Sequence, residues 1–167
     1  MTRRIVLILL PLLFPIMAGA QVKFGYFSYD QVLTSMPEYK VVMENMTDLK
    51  TKYDAETKRV EEEFNKKYEE FLDGQRDFAP TILQKRQSEL QELLKRNVAF
   101  KAEAERLLAK AEKEAFAPLH QKISTALQTI GTEQGYAFIL NTDGNACPYI
   151  NPTMGEDVTE LLKNALK

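Results

Sequence analysis

The 167-residue chain carries 22 basic and 24 acidic side chains, one histidine, one cysteine and no tryptophan. This mild acidity lacks the basic stripe that nucleic acid demands, so no nucleic-acid partner is expected. With His120 alone, no Ser-His-Asp, Cys-His or multi-histidine metal set can be assembled, and with Cys147 alone no internal disulfide can form.

Arg3 and Arg4 precede an apolar run from Ile5 to Met17 that closes on Ala18-Gly19-Ala20, the pattern of a secretory signal peptide cleaved after Ala20. The run is shorter than the roughly 20 apolar residues of a membrane helix, and Pro11 and Pro15 interrupt it. With no cysteine beside the cleavage point, a lipid anchor is not indicated, and membrane association is at most peripheral. Loss of Arg3 and Arg4 takes 22 basic side chains to 20 against 24 acidic ones, a net charge of about −4.

Val22 to Ser28 alternates apolar positions and is rich in β-branched and aromatic residues, which predicts a strand. Ser28 or Asp30 then caps a short helix towards Met36, and Pro37 opens the next. From Glu38 to about Gln75 the sequence is dense in Glu, Lys, Leu and Met, a long helix. Its apolar residues Val42, Met46, Leu49, Tyr53, Val60, Phe64, Tyr68 and Phe71 recur at steps of three and four and make a narrow, coiled-coil-like stripe. Asp73 to Pro80 combines glycine, aspartates and proline, a reversal. A second helix runs from Ile82 to about Gln134, with Leu83, Leu90, Leu93, Leu94, Phe100, Ala104, Leu107 and Leu108 on its apolar face and Pro118 predicting a kink or break.

Gly131 and Gly135 end that helix, and Tyr136 to Leu140 reads as a second strand. Asn141 to Asn145 is a turn, and Ala146 to Ile150 is expected as the returning strand of a hairpin, with Cys147 a small buried strand residue. Asp157-Val158-Thr159-Glu160 then resembles a capping box opening a last helix through Leu161, Leu162, Ala165 and Leu166.

These elements predict an α+β protein. Residues 1–20 are the signal peptide, residues 21–36 and 135–167 build a small β body from both chain ends, and residues 37–134 form an inserted helical hairpin with its tip near 74–82. At ~1.5 Å per residue the arm reaches roughly 55 to 60 Å, too long for a compact domain, so it projects. Strand residues Phe24, Tyr26, Phe138 and Leu140 exceed what one terminal helix covers and are the candidate oligomer interface. Phe71, Phe78, Ile82 and Leu83 cluster at the tip and are candidate partner contacts, with Phe64, Phe100 and Leu108 as the alternative further down.

No catalytic, metal or cofactor residue is assigned. Asn141, Asp143 and Asn145 repeat the oxygen spacing of a calcium loop, but Ala146 replaces its glycine and Pro152 its bidentate glutamate. Glu61, Glu62 and Glu63 splay around a helix and read as a solvated face.

An export signal, a strand and short helix, a long charged hairpin, the Tyr-Ala-Phe-Ile-Leu-Asn strand and the Asp-Val-Thr-Glu-Leu-Leu helix occur here in one order. That order resembles the Skp, or OmpH-like, family of periplasmic chaperones over essentially the whole mature chain. The resemblance implies a homotrimer joined through its β bodies. It implies helical arms enclosing a cavity for unfolded outer-membrane β-barrel proteins, with no ATP and no cofactor. The better-known enterobacterial members are strongly basic, whereas this chain is acidic. A second reading, a coiled-coil spacer or adaptor of the envelope, calls for a sustained apolar stripe, which Glu56, Thr57, Asn97 and Lys101 interrupt.

Overall fold

Phe24–Phe27 forms β1, the middle strand of a three-stranded sheet whose neighbours are β2, Phe138–Asn141, and β3, Gly155–Asp157. This computed structural model describes residues 22–167, so the expected signal peptide and its cleavage point lie outside the described residues. Between the strands run α1 (Tyr29–Ser35), α2 (Pro37–Gly74) and α3 (Pro80–Gln134), and α4 (Thr159–Ala165) follows β3. Both strand pairings are parallel, Phe24 opposite Phe138 on one side and Gly155 on the other.

That topology corrects the expected hairpin. A parallel neighbour must start at the same end of the sheet, so the chain leaving β2 has to travel back before pairing. Residues 142–154 make that journey, beginning with a 3₁₀ turn at Asp143–Asn145, and Pro148 and Pro152 withhold the amide donors a ladder requires. Ala146 to Ile150 is therefore loop. Cys147 is half-buried there and not in a strand, its thiol 3.7 Å from the Tyr149 carbonyl.

The alternation of β1 points Gly25 and Phe27 inward, where Phe27 joins Val32, Met36, Leu119, Ile123, Ile130, Val158 and Leu162 in one core. Gly25 fits closely there, since a Cβ would meet Val158 Cγ1 at 3.3 Å and push the valine aside by a few tenths of an ångström. The oxygens that resemble a calcium loop serve the fold instead. Asn141 Oδ1 accepts from the Tyr29 amide at 3.3 Å and Asp143 Oδ2 from the Asp30 amide at 2.7 Å, capping α1 together with Ser28. Only half of the expected capping box forms at α4. Asp157 Oδ1 accepts from the Thr159 amide at 2.9 Å, while Glu160 turns to Lys163.

Helix α3 runs through Pro118 without the break that the sequence suggested. Pro118 and Glu114, whose carbonyl loses its partner, are both exposed, and the adjacent Leu119 and Ile123 are buried in the core. The orphaned carbonyl lies on an exposed turn, where it is less costly than in the core, and the buried Leu119 and Ile123 keep the segment helical. At its far end Gly135, with φ of 67°, lets the Tyr136 amide reach back to the Gly131 carbonyl at 2.9 Å.

Glu38 in the first turn of α2 ion-pairs with Lys122 of α3 and clamps the root of the hairpin. The Lys122 hydrogen bond, helped by the residue's own backbone amide, holds this carboxyl below its ordinary value of 4.5. A lowered carboxyl contributes stability above its unfolded value and loses it as pH falls through the folded one. Thermal melts from pH 6 to pH 3 are therefore expected to fall more steeply for the native chain than for Glu38→Gln, which lacks the titrating group.

Candidate functional site

The arm is the interface of α2 and α3, and its register is visible at four levels. Tyr39 lies 6.0 Å from Phe116, Tyr53 lies 6.4 Å from Phe100, Asn97 Nδ2 donates to the Val60 carbonyl at 2.8 Å, and Phe71 meets Phe78 at 6.4 Å. Asn97 thus interrupts the apolar stripe to fix alignment, as a single polar residue does in coiled coils. By ~1.5 Å per residue α2 is roughly 57 Å long, and α3 returns beside it to the body.

The tip candidates divide. Phe78 folds back over Gly74 so closely that a Cβ there would lie 2.6 Å from the ring, and Phe71 packs on its other side. These two rings, with Leu90 and Leu93, line a hollow of about 250 Å³ rimmed by Lys67, Glu70, Arg86, Glu89, Glu92 and Arg96. Leu83 is half-buried, whereas Ile82 is 47% exposed. Phe64, Phe100 and Leu108 are half-buried beside the seam. Phe78→Ala is expected to open the tip, increasing proteolysis near Gly74 with a local loss of about 1–2 kcal/mol, while Ile82→Ser leaves the cleavage pattern unchanged.

Residues outside the candidate set are more exposed than most within it. Met43, Tyr68, Leu72, Leu94 and Val98 all present large apolar side chains to solvent. Leu94 and Val98 each follow a seam residue, Leu93 and Asn97, by one position. One position turns a side chain by about 100° round the helix, and that step separates seam from flank only once the register is known.

On the body, Phe24, Tyr26, Phe138 and Leu140 share the sheet face turned away from the core, and none of them joins it. The Phe24 and Phe138 rings stack at 5.4 Å with 17° between planes, and Gly155 leaves the room Phe24 occupies. The four interface candidates are thus brought together on one open surface.

Chemistry is sparse. Among the described residues no group of three or more His, Cys, Asp or Glu could hold a metal ion, and no helix is long and apolar enough to cross a membrane. His120 Nδ1 is 2.5 Å from the Tyr29 hydroxyl, which burial pushes above its usual range. Along the arm the ion pairs are mostly within one helix, such as Glu56–Arg59–Glu63–Lys67, and being exposed and screened they add little to stability.

Fold and surface together define a body-and-arm protein whose arm exposes large apolar side chains. The model of the outer membrane protein (OmpH-like) family matches residues 23–166, and the chain belongs to that family. Its fold is similar to the crystal structure of a Caulobacter crescentus CB15 protein provisionally described as an OmpH-like outer membrane chaperone. The TM-score is 0.67 at 18% identity, covering 86% of this chain and 82% of that one. No curated protein matches this chain.

Proposed function

We propose that the chain is an ATP-independent periplasmic holdase that keeps unfolded outer-membrane β-barrel proteins from aggregating, working as a homotrimer joined through the open sheet faces of its bodies. The observation that carries this reading is the arm itself. It projects far beyond the body, and its flanks expose Tyr68, Leu72, Ile82, Leu94 and Val98 without covering them. Exposed apolar side chains on a slender arm suit weak, many-point contact with chains that have no fixed shape. Several arms are needed to surround a client, and the Phe24, Tyr26, Phe138 and Leu140 face supplies a symmetric way to gather them. Family membership and the described Caulobacter protein support the same assignment.

A spacer or adaptor would bind a fixed partner through a continuous stripe, but the exposed apolar residues here come in separated patches. The test is dilution of a urea-denatured outer-membrane barrel protein into buffer without nucleotide, followed by light scattering. Near-complete suppression at about one trimer per client is expected, and unchanged aggregation at excess chain overturns the proposal.

A further inference from the structure

Three hollows open on one flank of the arm. At the root Met43, Met46 and Phe116 line a volume of about 480 Å³. A second, of about 240 Å³, shares Glu105 and Leu108 with the first and is walled by Asp54, Lys58 and Lys101. A third, of about 310 Å³, shares Glu61 and Lys101 with the second and ends among Phe64, Leu94 and Val98. Shared walls place them one after another, as a segmented groove in the crease between α2 and α3. From the level of Met43 to that of Asn65 it spans about 22 residues of α2, roughly 33 Å. By helical phase the Glu56–Arg59–Glu63–Lys67 chain of ion pairs lies on the opposite flank.

The groove's length and pattern select its occupant. An extended chain advances about 3.3 Å per residue, so about ten residues fill it, the length of a strand that crosses an outer membrane. Each end carries large apolar side chains among polar ones, with Met43 41%, Leu94 49% and Val98 62% exposed, and methionine adapts to varied side chains. The middle is polar. A helix from a second copy would need unbroken apolar positions, which Asp54, Lys58, Glu61, Lys101 and Glu105 deny it. An extended segment instead brings unpaired amides and carbonyls that such side chains can meet.

We propose that this groove holds one extended, strand-length segment of an unfolded barrel protein, its apolar side chains seated at the Met43 and Met46 end and at the Leu94 and Val98 end. This deepens the holdase reading and rests on it. The test places p-benzoylphenylalanine at Met43 or Val98, and at Arg59 or Glu103 on the opposite flank, in the full mature chain. Each variant is irradiated with a urea-denatured barrel protein after its suppression of aggregation has been measured. Client adducts at Met43 and Val98 are expected at severalfold the yield of the controls, because the exposed apolar contacts lie on one flank alone. Double replacement Leu94→Ser with Val98→Ser should weaken client binding by a similar factor while helical circular dichroism is unchanged, both residues being exposed. Suppression with equal adduct yields on both flanks overturns the groove and leaves the holdase reading standing. Adducts only between copies of the chain assign the groove to a neighbouring arm and overturn it as well. Absence of both suppression and adducts removes the holdase reading and the groove with it.

Discussion

Ile123→Ala is expected to destabilise the body by about 2–5 kcal/mol, a large share of what a domain of this size possesses. Ile123 is completely buried where the root of α3 meets Val32 of α1 and Leu162 of α4. Truncation removes three carbons from a site walled by three elements that are already tied together. Thr159 accepts from the Ser28 amide at 3.2 Å, and Asn141 and Asp143 hold the start of α1, so the walls cannot collapse into the gap. Urea denaturation followed by circular dichroism measures the loss. Ile82→Ala, on an exposed residue at the tip, should stay within about 0.5 kcal/mol in the same experiment. A loss for Ile123→Ala no greater than that would mean the core does not organise the body.

Phe138→Asp is expected to separate the copies. Phe138 is 47% exposed on the open sheet face and stacked on Phe24. An association that buries this pair would have to desolvate the new carboxylate on a face whose side chains Phe24, Tyr26, Phe138 and Leu140 carry no cation. Such a charge costs about 3 kcal/mol or more, weakening assembly by at least about a hundredfold. Sedimentation at micromolar concentration should then show monomers that keep the helicity of the arm, because Phe138 makes no contribution to the α2–α3 seam. A trimer that survives the substitution would place the interface elsewhere.

The two long helices were legible from their apolar repeats, from Pro37 at a first turn and from Gly135 in the left-handed region, whereas Pro80, expected within the reversal, opens α3 two residues before Ile82. That Phe24, Tyr26, Phe138 and Leu140 share one sheet face was legible from alternation alone, since period two decides which side of a strand each residue takes. The order of the strands was not. Each has three or four residues, and the polar turn after β2 has the composition of a hairpin although its oxygens cap α1. Only tertiary contact reveals that use. Pro118 does not break α3, because its effect depends on how the surrounding core packs on the helix, which the local sequence does not state. The groove was hidden because it belongs to neither helix. Met43, Leu94 and Val98 lie just off their own helical seams, and only the register set by Asn97 and Val60 lines them up.

The measurement that bears most directly on the whole account is the native mass of the purified mature chain, alone and after mixing with a urea-denatured outer-membrane barrel protein. Three copies alone, and three copies carrying one client after mixing, are the expected masses. A monomer whose mass does not change when the client is added would contradict both the assembly through the open sheet face and the holding of clients between the arms.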